Sequence, residues 1–477
     1  MEGKKNFYIT TTLPYVNADP HIGFAFEIVE ADIIARWQRL QKREVFFTTG
    51  TDEHGQKIFQ KAEAEGKDVQ AYVDHFAGRF EKLKEGLNLS NDAFIRTTDA
   101  AHVEAAQELW RRCAAKGDIY KKKYKGLYCV GDEAFIKESD LVNGRCPNHP
   151  TMEPIEIEEE NYFFKLSAYQ EKLLSYLSNE SVILPDWRRD EAINFVKGGL
   201  EDFSISREKA RMSWGVPVPG DDAQVMYVWF DALANYISTL GWPDEEGNFK
   251  KFWHEGEVVQ LAGKDQVRFQ SVMWQAMLMS ADIKNTDTVV YHGFITSGGQ
   301  KMSKSLGNVI DPFSLIEEYG TDAVRLLLAR HVHPFEDSDI TLERLQELYN
   351  ADLANGLGNL ASRIMQLAQT NLEKPVEVGY PGYPKEFAEA IEAYELNRAL
   401  DYVFMRIQAL DQRITQEQPF KVIKTDPEKG KEMITALVKE LAAIDLMLEP
   451  IIPDTSSKII EAIMANKKPE NLFARKD

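Results

Sequence analysis

Cysteine is nearly missing: Cys113, Cys129 and Cys146 are the only three in 477 residues. A set that is both sparse and odd excludes the disulfide framework of a small secreted domain and fits a reducing compartment. No apolar run is long enough to span a bilayer, and the opening MEGKKNFYITTTLP lacks the unbroken apolar stretch of a signal peptide. A membrane protein is therefore not expected, and the cytoplasm is. Positive charge is also short, with 56 Lys and Arg against 76 Asp and Glu and a net charge of −20. Such a balance argues against binding nucleic acid through broad electrostatics, although a local basic path is compatible with it. Internal repeats and low-complexity tracts are absent too.

What is present is an ordinary globular composition, 44% hydrophobic and 28% charged, on a chain longer than one hydrophobic core usually serves. Two or three domains are expected. Residues 6–12, NFYITTT, are β-branched and aromatic and run into a Pro- and Asn-containing turn. From Ile22 apolar residues recur at Phe26, Val29, Ile33, Trp37 and Leu40, the spacing of one buried helix face, and EVFFTTG at 44–50 reads as the next strand. Strand, long helix and strand make a βαβ unit and imply a parallel sheet whose ligands sit beyond the carboxyl ends of the strands. After Cys113 the texture turns to short strands, KGLYCVGDEAFI and NYFFKL, and the α/β texture returns with VMYVWFDALANYIS, VVQLAGKD and TVVYHGF. Beyond Thr341 the pattern is helical, with Leu342, Leu345, Leu353, Leu357, Leu360, Ile364 and Leu367 on one stripe.

The expected fold is thus α/β, a Rossmann-type doubly wound parallel sheet split by a small inserted domain and followed by an all-α bundle. The expected boundaries are 1–115 and 224–295 for the two halves of the sheet domain and 116–223 for the insertion, with a knuckle-like piece at 128–150. A loop and stem-contact region follows at 296–355, then the bundle at 356–477. The acidic run EPIEIEEE, 153–160, is expected as a solvated edge.

Two short stretches carry chemistry. His21-Ile22-Gly23 stands at a helix start, where unbonded N–H groups favour an anion, Gly23 allows close approach and His21 adds a side-chain donor. GGQKMSKSLGN, 298–308, offers Lys301 and Lys304 in a glycine-bounded loop that can bring two ammonium groups onto a polyphosphate. Each alone is weak. Together, at one edge of the inferred sheet, they resemble the paired signatures of class I aminoacyl-tRNA synthetases: His-x-Gly-His, here ending in Phe24, and Lys-Met-Ser-Lys-Ser, intact at 301–305. LPYVNADPHIG, TGTDEHG, ISR at 205–207, YVWFDAL, AGKD and NLASR at 359–363, in this order, are similar to segments of the methionyl-tRNA synthetase family.

The resemblance implies formation of methionyl adenylate from methionine and ATP with Mg2+, and transfer of the methionyl group to tRNA(Met). It implies an ATP site at His21, Gly23, Asp265, Lys301, Ser303 and Lys304, with Arg207 at the activation site. It places methionine among Leu13, Tyr15, Trp229, Ala232, Tyr236 and Gln270, with Asp52 holding the ammonium group. A thioether suits aromatic walls, and a charge in a partly dry pocket requires a charged partner. Asn359, Arg363 and Phe420 would read anticodon bases by hydrogen bonding and stacking. Cys129, Asp132, Cys146 and His149 resemble a zinc knuckle with one cysteine replaced by Asp132, and a metal-free version is favoured over a Zn2+ site. The insertion is too short for an editing domain of the isoleucine, leucine and valine type. No tRNA-binding module follows Asp477, so a monomer is expected.

Two departures stand out. Phe24 removes a donor, a loss of about 3 kcal/mol at a transition state of this kind, and Gln266 and Gln270 stand where the family more often has an aliphatic residue and a histidine. The alternative is a catalytically faded paralogue that binds tRNA, with Phe24 as its symptom. The intact lysine loop, Asp52 and the Asn359/Arg363 pair argue for the active enzyme.

Overall fold

The computed structural model describes residues 5–129, 134–136, 138–147, 151–302, 307–380 and 382–476. The chain divides into two compact units: Met1–Pro20, Arg43–Lys84 and Ser90–Tyr291 form the first, and His21–Lys42, Glu85–Leu89 and His292–Asp477 the second.

The first unit is built on a sheet of six strands, β1 (Asn6–Thr10), β2 (Glu44–Thr51), β3 (Ala93–Arg96), β4 (Ile183–Leu184), β5 (Glu257–Gly263) and β6 (Thr288–His292), in the order β3-β2-β1-β5-β6-β4. The pairings β3–β2, β2–β1, β1–β5 and β6–β4 are parallel. A parallel sheet has both faces covered and needs near-continuous apolar strands. Phe7, Tyr8 and Ile9 of β1 and Val258, Val259, Leu261 and Ala262 of β5 supply them, all buried. Gly50 is required where β2 meets β3, because a Cβ there would lie 1.9 Å from the Ile95 carbonyl oxygen. The chain winds from β1 out to β3, forms β4 at the far edge, and then places β5 on the other side of β1. The carboxyl end of the β1–β5 pair is therefore the topological switch point, the usual ligand crevice of such sheets. Leu13 and Tyr15 follow β1, Asp52 follows β2, and Asp265 follows β5.

The helix Ala100–Ala115 packs Ala105, Leu109 and Trp110 into the core beneath this sheet, with Trp110 edge-on to Phe230 and Tyr162. Part of the expected insertion joins the same core. Leu173, Leu177, Ala192 and Val196 are buried in it, and Ile183–Leu184 is an edge strand of the parallel sheet. The rest forms a separate antiparallel sheet, Ala134–Ile136, Ile119–Cys129, Ile155–Phe164 and Phe203–Ser204 in that order. The acidic run is the solvent-facing first part of the third of these strands, with Glu156, Glu158 and Glu160 exposed, while the pairing to Phe203–Ser204 is made farther on at Phe163 and Phe164. It pairs with a lysine run, Lys123 opposite Glu160 and Lys125 opposite Glu158, and Lys125 reaches Glu156 at 2.7 Å. Cross-strand charge pairing explains why two like-charged runs coexist in a folded sheet.

The second unit is mainly helical. It contains the helix Ile22–Leu40 and, after residue 311, a succession that includes Pro312–Tyr319, Thr321–His331, Asn359–Asn371, Leu396–Glu417, Pro419–Thr425, Pro427–Leu448 and Pro453–Ala465. Proline opens four of these, where its missing N–H would be unbonded anyway and its fixed φ suits the first turn. Leu345, Leu353, Leu357, Leu360 and Ile364 are buried as their spacing requires. Leu367 is only partly buried, and Leu342 is 52% exposed: it is the first residue after the Thr341 cap, before the helix has turned its face inward. Among the described residues no helix is long and apolar enough to cross a membrane.

One buried charge pair organises this unit. Asp32, on Ile22–Leu40, and Arg325, on Thr321–His331, are both 0% exposed at the side chain and 2.8 Å apart. Arg325 also donates to the carbonyls of Ile451 at 2.8 Å and Leu87 at 2.9 Å. Asp32 also accepts from Arg36 Nε at 2.7 Å, so Arg325→Met removes one of two cations from a buried carboxylate together with the donor to the Ile451 and Leu87 carbonyls, and is expected to destabilise the fold by about 3 kcal/mol. Urea denaturation checks this: the midpoint should fall by the corresponding amount with the slope unchanged.

Candidate active site

The first signature lies in the second unit. His21 is the N-cap of Ile22–Leu40, and its Nδ1 accepts from the Gly23 N–H at 3.1 Å. A Cβ on residue 23 would lie 3.0 Å from the His21 ring, so glycine gives this cap its closest fit. Ile22 N–H donates to the Ile310 carbonyl at 3.0 Å, and the Phe24 and Ala25 N–H groups to the His21 carbonyl. The first turn therefore does not present unbonded N–H groups, contrary to the sequence expectation. What it presents is the imidazole. An acceptor at Nδ1 places the proton on Nε2, so the ring is a donor in its neutral tautomer. Although His21 keeps solvent-exposed surface, desolvation of the imidazolium and then the charge of Lys301 lower its pKa from the ordinary 6.5. Phe24 is 8% exposed, a packed side chain and not a surface group.

The second signature begins in the same unit with a hairpin, Ile295–Ser297 against Gln300–Lys301. Gly298 and Gly299 connect its strands with φ of 64° and 71°, the two left-handed positions that a tight hairpin turn demands. Asp339 pins the turn, accepting from Gly299 N–H at 2.8 Å and Thr296 Oγ1 at 2.9 Å. Lys301 is exposed, with its Nζ 5.5 Å from the Phe294 ring centroid. Met302 Cε would be 4.0 Å from a Cβ at Gly23. The two signatures thus meet. Ser303 and Lys304 lie outside the described residues. A cavity of about 470 Å3 at the hairpin base has Asp311, Glu318 and Glu343 in its lining. That acidic lining does not suit a phosphate.

A buried acid–base group underlies the hairpin and was not legible as a motif. His292 donates from Nε2 to Glu27 Oε2 across 2.8 Å and from Nδ1 to the Gly293 carbonyl across 2.7 Å. Burial alone would lower the pKa of His292, but Glu27 beside it raises the net value to about 9. Burial pushes Glu30 up to about 8 against the opposing charge of His292. These shifts favour a cationic His292 and a protonated Glu30 at neutral pH.

The expected methionine residues lie in the first unit. Tyr15 and Asp52 are bridged as an extension of the sheet, with Asp52 N–H donating to the Pro14 carbonyl at 3.0 Å and Val16 N–H to the Asp52 carbonyl at 3.2 Å. Asp52 is 4% exposed. Leu13 is partly buried, as is Trp229, which stacks on Phe269 with centroids 3.9 Å apart. Ala232 and Tyr236 are buried, and the Tyr236 carbonyl accepts from Tyr8 Oη at 2.8 Å. Gln270 is buried and its Nε2 has no hydrogen-bond partner among the described residues. Gln266 instead turns to Asp265, which is exposed, at 3.2 Å. Arg207 donates to Ser204 Oγ at 2.9 Å and the Ser206 carbonyl at 2.7 Å, with its guanidinium over the Tyr227 ring at 4.2 Å. Adjoining Asp52, Glu53 is fully buried and receives Arg96 at 2.6 and 2.8 Å.

Asn359 and Arg363 sit one turn apart at the start of Asn359–Asn371, so they share a face. Asn359 is exposed, Arg363 is ion-paired to Asp411 of Leu396–Glu417, and Phe420, in Pro419–Thr425, is 40% exposed. Of the knuckle candidates, Cys129 and Cys146 are buried, while Asp132 and His149 lie outside the described residues. Among the described residues no group of three or more His, Cys, Asp or Glu could hold a metal ion.

The sequence pattern of the family described as tRNA synthetases class I (M) matches residues 7–153 and 149–365. The methionine–tRNA ligase of Rickettsia felis is 41% identical over 488 residues, which cover 98% of this chain and 94% of that protein. That of Brucella suis is 40% identical over 486 residues, 98% of this chain and 93% of its own. Mycobacterium tuberculosis methionyl-tRNA synthetase in complex with methionyl-adenylate has a TM-score of 0.89 at 39% identity, over 96% of this chain and 93% of that one. Fold and signatures define a class I aminoacyl-tRNA synthetase. Within that class the chain belongs to the methionyl-tRNA synthetase family.

A lowered His21 pKa has a sign that can be measured. The unfolded chain takes up the proton first as pH falls through the ordinary imidazole value, so His21 lowers stability between that value and its own lower one and has no such effect above both. In NMR titration of labelled histidine, the His21 midpoint is expected below 6.5, and Lys301→Ala should move it upward. A midpoint unmoved by Lys301→Ala would separate the two signatures.

Proposed function

We propose that the chain is a methionine–tRNA ligase that activates methionine with ATP through the His21 and Lys301 signatures and then transfers the methionyl group to tRNA(Met). A methionine carboxylate oxygen attacks the α-phosphorus of ATP, and the bond from that phosphorus to the pyrophosphate oxygen breaks. No proton needs abstracting, so the protein's contribution is positioning and stabilisation of developing negative charge. His21 offers its Nε2–H, and Lys301 and Lys304 receive the pyrophosphate with Ser303 between them. ATP enters as its Mg2+ complex, with Gly23 and Asp265 at its site and Arg207 at the activation centre. Leu13, Tyr15, Trp229, Ala232, Tyr236 and Gln270 surround the methionine side chain, and Asp52 pairs with its ammonium group. The buried Nε2 of Gln270 is a donor with no partner among the described residues, a reason to aim it at the substrate. Asn359, Arg363 and Phe420 meet the anticodon, where Arg363 must trade Asp411 for a base. We further infer a cytoplasmic monomer.

The observation that carries this reading is the approach of Met302 to Gly23, with Lys301 acting electrostatically on His21. Phe24 leaves the site one donor short, which slows the step without abolishing it. Methionine-dependent exchange of labelled pyrophosphate into ATP is the test. The wild type should exchange with methionine and no other amino acid, and Lys301→Ala and Lys304→Ala should each lose about 100-fold or more, the usual worth of a charge-stabilising group. No exchange with any amino acid, in protein that still binds tRNA, would favour the faded paralogue.

A further inference from the structure

We infer that the buried group Asp231, His54 and His102 sets the position of Asp52 against the aromatic wall of the methionine site; this rests on the reading of Asp52 as the ammonium partner. Asp231 lies in the helix Val228–Ala232, between Trp229 and Ala232, and is 0% exposed. Its Oδ2 is 3.3 Å from His54 Nδ1 and its Oδ1 3.6 Å from His102 Nε2. His102 comes from the helix Ala100–Ala115, and its Nδ1 is 3.1 Å from Ser238 Oγ. All three members are therefore buried, and none is a residue that the signatures bring to the phosphates.

The turn after β2 is held residue by residue. Asp52 is fixed through its backbone to Pro14 and Val16, and Glu53 by Arg96 and by Trp214, whose indole donates to the Glu53 carbonyl at 2.6 Å. His54 N–H points back to Asp52 Oδ1 at 3.4 Å, and its ring stands edge-on to Trp214 with centroids 5.7 Å apart. Of these contacts, Asp231–His54 is the one that runs to the helix carrying Trp229 and Ala232. It thereby fixes the distance between the group that receives the ammonium and the wall that receives the side chain. Burial would raise the Asp231 carboxyl, but His54 and His102 outweigh it and hold it below the usual range. A carboxylate so deeply buried requires polar partners, and the two imidazoles are the groups beside it. For packing alone an apolar trio would serve as well. Among the described residues no group of three or more His, Cys, Asp or Glu could hold a metal ion, these three included.

The role is one of positioning, and it separates from structure by which constant moves. In the full-length chain, Asp231→Asn and His54→Gln should each raise the methionine KM in pyrophosphate exchange about tenfold, with kcat and the ATP KM changed less than about threefold. The double variant should be no worse than the poorer single one, because both remove one link. Binding of 4-(methylthio)butanoate, which keeps the side chain and carboxylate but lacks the ammonium group, should be unchanged. An unaltered methionine KM in folded variants, or equal losses for methionine and its deaminated analogue, would overturn the inference. His54→Gln carries the test if Asp231→Asn does not fold. Absence of methionine-dependent exchange in the wild type would overturn the proposed function itself; wild-type exchange with unaltered variants would overturn only the positioning role.

Discussion

The fit of the helices in the second unit depends on a buried ion pair, Asp32 with Arg325. Both side chains are wholly inaccessible, and Arg325 directs its remaining donors at the carbonyls of Leu87, Pro450 and Ile451. A guanidinium placed so deep is acceptable only where every direction it points holds an acceptor. It therefore specifies how the helix Ile22–Leu40, the helix Thr321–His331 and the turn before the last helix fit together. The rest of Ile22–Leu40 is fixed in the same sense, with Ile22 bonded to Ile310 at one end and Trp37 donating to Glu392 at 2.5 Å near the other. Consequently His21, the cap of this helix, is delivered to the lysine hairpin by a rigid element and not by a flexible loop. Precision of that kind is what charge stabilisation in a transition state requires.

A chain with a net charge of −20 that handles ATP and tRNA cannot rely on pooled positive charge. It places its cations instead. The one conspicuous lysine run, Lys121 to Lys125, is matched by glutamates on the neighbouring strand, as at Lys125–Glu156. Lys301 stays exposed at the rim of a glycine turn beside a neutral imidazole, and the two are electrostatically coupled. The same economy governs the first unit, where Asp231 is balanced by buried imidazoles and Glu53 by Arg96. Charge is put where geometry needs it.

Much of the fold was legible in the sequence. Alternating strand and helix textures, apolar runs such as FYI and VVQLA, and the periodicity from Ile22 to Leu40 give a parallel sheet and its crossover, because each pattern reflects which faces are covered. The signatures were legible since glycine, histidine and lysine at fixed spacing have few other reasons to occur together. What was not legible depended on distant partners. Ile183–Leu184 is too short to announce itself as a sheet strand, and the acidic run, solvated as expected, does not announce the lysines that stand opposite it. The first-turn N–H groups were expected to be available, yet His21 and Ile310 occupy two of them. Asp231 and His54 lie inside segments that were quoted for other residues. Their pairing spans 177 positions in the chain, and no local pattern reports it.

The central claim is that the two signatures act as one device on the same phosphates. Single-turnover formation of methionyl adenylate by the wild type, His21→Ala, Lys301→Ala and the double variant tests it most directly, because a double-mutant cycle isolates the coupling of two groups. A double variant distinctly faster than the product of the two single losses predicts, with coupling of about 1 kcal/mol or more, is the result this structure requires. Losses that simply multiply would mean that His21 and Lys301 serve separate steps, and the meeting of the signatures would carry no catalytic meaning.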